Sequence, residues 1–212
     1  MNTRILTLIL LAAIVPACDK SKPREPEKAI ATPNPDTPRN IIMDDATQVA
    51  ALIDPAKLAT LKQRGANPRV LKVTAILWTA KTTGKNPEAI TNNAVVKIGW
   101  GGTEKGRLTA AAMLRNLTIL ERLGSNTPED IDALRHGHAP TVRQGPYAGD
   151  IVSVDHIIPR AIAPELDNVI ANLELMPLRV NQSKNDKIGD RQRDLAGKLQ
   201  AAGLLADPSK IR

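Results

Sequence analysis

Apolar positions recur at helical spacing through the middle of the chain, then give way to a β-branched run in its last third. Four residue pairs punctuate the middle: Asp54-Pro55, Asn67-Pro68, Asn86-Pro87 and Thr127-Pro128. Each places a capping side chain before a proline suited to the first helical position, so each predicts a helix start. Val70, Val73, Ile76 and Leu77 then share a face, and Gly84 supplies a stop. Thr103 to Gly124 has the same character, with a stripe of Leu108, Ala111, Ala112, Leu114, Leu117 and Leu120. Residues 45–140 therefore predict a small helical bundle. From Tyr147 to Pro159 the helical period is lost, and Ile151, Val152, Val154, Ile157 and Ile158 predict a strand or hairpin arm. Asn172 to Pro177 predicts a second strand and Arg179 onward a helix, in the order strand, strand, helix. The expected class is α+β, with a mainly helical region before a C-terminal mixed module over 141–212.

The N-terminal pattern is different. Met1 to Ala17 has Arg4 in a short polar start, an apolar run from Ile5 to Val15, then small residues, which is the anatomy of an export signal. The run is shorter than the roughly 20 residues a permanent membrane helix needs, so cleavage is expected. Residues 18–44 carry Pro23, Pro26, Pro33, Pro35 and Pro38 among balanced charges, a composition that predicts a semi-extended tether. Cys18 is the sole cysteine, which excludes an internal disulfide and a cysteine-based zinc site. The sequence "VPAC" at 15–18 resembles the bacterial lipobox. That resemblance implies a diacylglyceryl thioether on Cys18 and an anchored lipoprotein in the cell envelope, at the periplasmic face of a membrane in a Gram-negative cell. An ordinary secretory signal with an incidental cysteine is the alternative.

Charge adds a partner class. The formal net charge is +7, with 13 Lys+Arg against 8 Asp+Glu over 45–140 and 10 against 9 over 141–212, so the surplus lies mostly in the helical region. A basic surplus favours a polyanionic partner. With no Phe, two Trp and one Tyr, the chain lacks the aromatics of a base-stacking platform, and recognition is expected to lean on phosphate contacts.

Candidate chemistry concentrates at Asp155-His156, Asn172 and Asn181-Gln182-Ser183-Lys184. Hydrolysing a phosphodiester near neutral pH takes a deprotonated water and something to neutralise charge on the phosphate and leaving oxygen. Asp155 and Asn181 offer oxygen ligands to one hard divalent ion. His156, with an unperturbed pKa of about 6.5, suits the base. Alternation along an extended segment would put base and ligand on opposite faces.

The stretch "SVDHIIPRAIAPELDNVIANLELMPLRVNQSKNDK", residues 153–187, resembles the HNH endonuclease family. The resemblance implies a ββα-metal fold and metal-dependent cleavage of nucleic acid, DNA before RNA, with one Mg²⁺ or Mn²⁺. It makes Asp155 the metal-binding acid, His156 the general base, Asn172 the residue that braces the loop and so orients the base, and Asn181 a metal ligand at the start of the helix. Lys184, one turn later, is expected to face the phosphate. Arg160, just after the motif's proline, and Lys187 are further candidates for substrate contact. The paired cysteines of zinc-bearing members are absent, and the tract between the hairpin arms is short.

Several features have plainer readings. Lys184, Lys187, Arg191 and Arg193 either track a phosphate backbone or, with Asp186, Asp190 and Asp194 interleaved, form a solvated face of i,i+4 pairs. His136 and His138 are expected to mark a loop at a helix end. Trp78 and Trp100 are expected in the bundle core. The rival to a nuclease is a lipoprotein that binds nucleic acid or protein on a degenerate HNH scaffold; an exported toxin is a second rival.

Overall fold

The computed structural model describes residues 43–184 and 186–211. The expected export signal, Cys18 and nearly all of the tether lie outside them. The described residues belong to one compact unit. They are mixed helix and strand, an α+β arrangement: α1 (Asp45–Ile53), α2 (Pro55–Leu58), α3 (Asn67–Thr82), α4 (Pro87–Lys97), α5 (Glu104–Arg122), α6 (Pro128–His136), β1 (Val152–His156), β2 (Leu173–Pro177), α7 (Leu178–Lys184) and α8 (Asp190–Ala201). Short 3-10 turns at Pro164–Leu166 and Ile170–Asn172 sit in the connection between the strands.

Local chemistry accounts for most helix starts. Asn86 Oδ1 accepts from the Glu88 and Ala89 amides, Thr103 Oγ1 accepts from Gly106 N, and Thr127 and Asp130 form a reciprocal capping box. Helix α1 has no proline signal but is capped by Asp44, which accepts from Thr47 N at 2.9 Å. Two expectations need correction. Asn67 does not cap α3: it is the first helical residue, and its Nδ2 reaches 3.5 Å to the Val154 carbonyl on β1, so a tertiary contact takes the side chain that a local cap would have used. Along α5 Leu108, Ala112, Leu117 and Leu120 of the expected stripe are buried, but Ala111 is exposed and Leu114 half-buried, while Met113 and Asn116 are buried beside them. Gly137 closes α6 at φ 80°, a left-handed cap, so His136 and His138 flank a helix end. Trp78 and Trp100 are half-buried and pack against the core.

The two strands are antiparallel, with Val152 opposite Pro177, Asp155 opposite Glu174 and His156 opposite Leu173. Val152, Val154, Leu173 and Leu175 join Val70, Leu77, Met113 and Leu120 in one core, so the hairpin packs on α3 and α5 and residues 45–140 and 141–212 share an interior. A second cluster sets α8 and the C-terminal turn (Ala196, Leu199, Leu205, Ile211) against Leu108, Ile158 and Leu166.

Free strand edges are costly when buried, since each amide and carbonyl needs a partner. Asn116 on α5 supplies two for β2: its Nδ2 donates to the Leu173 carbonyl at 3.2 Å, and Leu175 N donates to its Oδ1 at 3.0 Å. Arg115 Nη2 adds a second donor to Leu173 O at 3.2 Å. Asn116→Ala would leave Leu175 N unpaired and Leu173 O with one donor. The expected loss is about 2–4 kcal/mol in urea unfolding followed by tryptophan fluorescence. A loss below about 0.5 kcal/mol, the range of neutral surface changes, would mean that other groups take over this edge.

Candidate active site

An open cleft of about 210 Å³ lies at the end of the hairpin where β1 stops and α7 passes; Arg64, Asp155, His156, Arg160, Asn181 and Lys184 are among its lining residues. Alternation places Asp155 and Ser153 on the α7 side of β1, and Val152, Val154 and His156 on the core side. His156, the last residue of the strand, also lines the cleft, although its side chain lies on the core side.

The ring is held firmly. His156 is 5% exposed, and its Nε2 sits 2.9 Å from the main-chain oxygen of Asp167 and 3.0 Å from Asp167 Oδ1. A carbonyl can only accept, so Nε2 carries the proton and Nδ1 of the neutral ring carries the lone pair. Among the described residues no group bonds Nδ1. The Nε2–H is directed at the main-chain oxygen, which leaves the buried Oδ1 without a hydrogen bond of its own. Asp167 was missed in the sequence. It stands eleven residues from His156 in a tract with no periodicity, and only the return of the chain through the 3-10 turn brings it to the ring.

Asn172 is fully buried and does not line the cleft. Its Oδ1 accepts from Ile158 N at 2.8 Å, its Nδ2 donates to Ile158 O at 3.0 Å, and its main-chain oxygen accepts from Ile157 N at 2.8 Å. It closes the loop immediately after His156 and touches no solvent.

Asp155 and Asn181 face the cleft from neighbouring elements. Asn181 lies inside α7, which begins at Leu178, and not at the helix start. Its Nδ2 donates to Ser153 Oγ at 3.1 Å, and that hydroxyl donates to Met176 O at 3.2 Å. This chain fixes the amide so that its oxygen has no protein partner among the described residues. Lys184 departs from the expectation of a phosphate contact. Its ammonium donates to Asp155 Oδ2 at 2.5 Å, His156 O at 2.8 Å and Ile157 O at 3.3 Å, which engages all three of its donors. The physical reason is cross-strand charge. Asp155 stands opposite Glu174 on one face, an unfavourable pair unless each carboxylate finds a cation. Lys184 serves Asp155, while Arg191 makes a two-pronged bond to the buried Glu174 and Arg115 lies 3.9 Å away. Its bond to Glu174 raises the Arg191 pKa, whereas burial lowers that of Arg115.

Arg193 pairs with Asp190 and Lys198 with Asp194, exposed pairs within α8. Lys187 is exposed and does not line the cleft. Arg160 does line it, half-buried and with no ion pair among the described residues. Arg64, which no sequence signal marked, joins it from the loop between α2 and α3.

Among the described residues no three His, Cys, Asp or Glu side chains cluster as a metal site would. The available donors are Asp155 Oδ1 and the Asn181 amide oxygen, with the exposed carboxylate of Asp186 also lining the cleft. This all-oxygen set fits a hard divalent ion that keeps several waters, of the Mg²⁺ kind, and does not suit a soft one.

Compared with known proteins, the chain matches no protein-family model, no curated protein and no solved structure.

The helix carrying Asn181 and Lys184 is tied to β1 through Asp150. Its Oδ2 accepts from Arg179 N at 2.9 Å and its Oδ1 from Ile151 N at 2.9 Å. The Arg179 amide holds this carboxyl below its ordinary pKa, against the opposing effect of burial, with help from the Ile151 amide and the Arg179 charge. An unfolded Asp titrates at about 3.9. Because the folded value is lower, the stabilisation is present above that pH and lost as pH falls through the folded value. Melting temperature is therefore expected to drop below about pH 4, and Asp150→Asn is expected to lower it at neutral pH while flattening the acid limb. An unchanged acid limb in that variant would remove Asp150 from the account.

Proposed function

We propose that this protein is a metal-dependent nuclease of the HNH type, cutting phosphodiester bonds of nucleic acid, DNA before RNA. In this reading it is exported and tethered to a membrane through a lipidated Cys18. The observation that carries the reading is the His156 ring: Nε2 is engaged by an obligate acceptor, Nδ1 has no bonding partner among the described residues, and the residue lines a cleft with Asp155, Asn181 and Arg160.

A water in the cleft gives its proton to Nδ1 as its oxygen bonds to phosphorus, and the bond from phosphorus to the leaving sugar oxygen breaks. The Asp167 carboxylate, 3.0 Å from Nε2, then stands beside the imidazolium and offsets its charge. Asn172 keeps the loop that follows the base from moving. Asp155 and Asn181 would hold one Mg²⁺ or Mn²⁺, which when bound supplies neutralisation of charge on the phosphate and leaving oxygen. Lys184 pins the Asp155 carboxylate through Oδ2, leaving Oδ1 as the donor atom.

A second reading has its own support. An ammonium on Asp155 is a cation already seated at the candidate ligand, which suits a non-catalytic binding lipoprotein on the same scaffold.

The deciding test is incubation of the protein with plasmid DNA and with RNA in Mg²⁺, Mn²⁺ or EDTA. His156→Ala is expected to lose about 10²- to 10⁴-fold in cleavage rate while remaining folded by circular dichroism. Asp167→Asn is expected to lose less, since the main-chain acceptor still holds the Nε2 proton. Undiminished cleavage by His156→Ala would sink the mechanism, and binding without cutting under every condition would favour the scaffold. For the anchor, Cys18→Ser is expected to move the protein from the membrane fraction to the soluble one.

A further inference from the structure

Arg64 is the sole residue other than glycine with a positive φ among the described residues, at 55°. A side chain other than glycine, asparagine or aspartate is disfavoured there, and such positions survive where the surroundings over-determine them. Three long-range bonds do so here. Arg64 N donates to Asp167 Oδ2 at 3.1 Å, Ala66 N donates to Asn168 Oδ1 at 2.9 Å, and Asn168 Nδ2 donates to Leu61 O at 3.1 Å. The loop between α2 and α3 is thereby pinned to the segment that orients His156. One carboxylate faces both: Oδ1 lies at the base and Oδ2 at the Arg64 amide.

Nothing comparable holds the Arg64 side chain. It is exposed, lines the same cleft as His156 and Arg160, and forms no hydrogen bond or ion pair among the described residues. The cleft's other cation, Lys184, is consumed by Asp155. Two guanidiniums without carboxylate partners therefore share a cleft whose base is held by the same aspartate that fixes the backbone of one of them. A guanidinium presents a planar fork of donors that matches the oxygens of a phosphate.

We propose that Arg64, contributed by the helical region, binds a backbone phosphate of the substrate strand together with Arg160, so that the helical region forms part of the substrate site. This rests on the nuclease reading for the identity of the ligand. Those three bonds hold the backbone of Arg64 in a costly conformation, and the loop so fixed sets Arg64 among the residues of the cleft. Glycine would take the same φ freely and leave the cleft without that cation.

The test measures binding of a short fluorescein-labelled DNA duplex, and of RNA of the same sequence, to the full chain in Mg²⁺. The His156→Ala background keeps the probe intact. Arg64→Gln is expected to weaken binding about tenfold at low salt and to reduce the slope of log K against log salt by about one. Arg64→Gly is expected to lose as much binding while melting at or above the temperature of the parent. Arg122→Gln, an exposed arginine on α5 away from the cleft, is expected to bind as the parent does. If Arg64→Gln binds like Arg122→Gln with an unchanged slope while the parent binds tightly, the proposal fails and the nuclease reading stands. If the parent binds neither probe and the His156-containing protein cuts neither, the nuclease reading fails and takes the proposal with it.

Discussion

A two-stranded hairpin is barely stable in water by itself, because its edges leave amides and carbonyls unpaired and each face covers little apolar area. The cleft of this protein is built on such a hairpin, so everything that positions its chemistry depends on what the helices do for β1 and β2. Asn116 satisfies the outer edge of β2 with one donor and one acceptor, and Val152, Val154, Leu173 and Leu175 sink into the core that α3 and α5 supply. The hairpin exists as part of the helical fold. The boundary at 140/141 that composition suggests separates two regions of sequence which share one interior.

Charge organisation follows from the strand register. With Asp155 opposite Glu174, two carboxylates share a face, and the fold answers with Lys184 on one and Arg191 and Arg115 on the other. This pairing also locks α7 and α8 against the sheet, since Lys184 and Arg191 belong to the end of one helix and the start of the other. It engages all the donors of Lys184, while two arginines of the cleft keep theirs. Those arginines, Arg64 and Arg160, come from loops and form no ion pair among the described residues.

The candidate base is held by the same economy of contacts. Asp167 meets His156 with its main-chain oxygen and its carboxylate, and meets the α2–α3 loop with the other carboxylate oxygen. Asn172 closes the loop that follows His156, so the imidazole and that loop are fixed from two points within the tract that connects the strands. A substitution in the loop from Leu61 to Ala66 can therefore reach the candidate base without touching it.

The sequence by itself determined what is local. Capping side chains before prolines announced α2, α4 and α6, apolar spacing announced α3 and α5, and a β-branched run followed by "NLELMPL" announced the two strands, because caps, periods and propensities act over a few residues. It also brought Asp155, His156, Asn172 and Asn181 forward as a set, since their chemistry and spacing are visible in one segment. Tertiary structure decided the rest. Asn67 gave up its cap for a contact with β1; Lys184 turned to Asp155, 29 residues earlier, because the strand register put that carboxylate opposite another. Asp167 and Arg64 lie in aperiodic tracts with no local signal and come together across 103 residues of chain. Such pairings depend on which surfaces the packed core brings together, a property of the whole fold that no window of sequence contains.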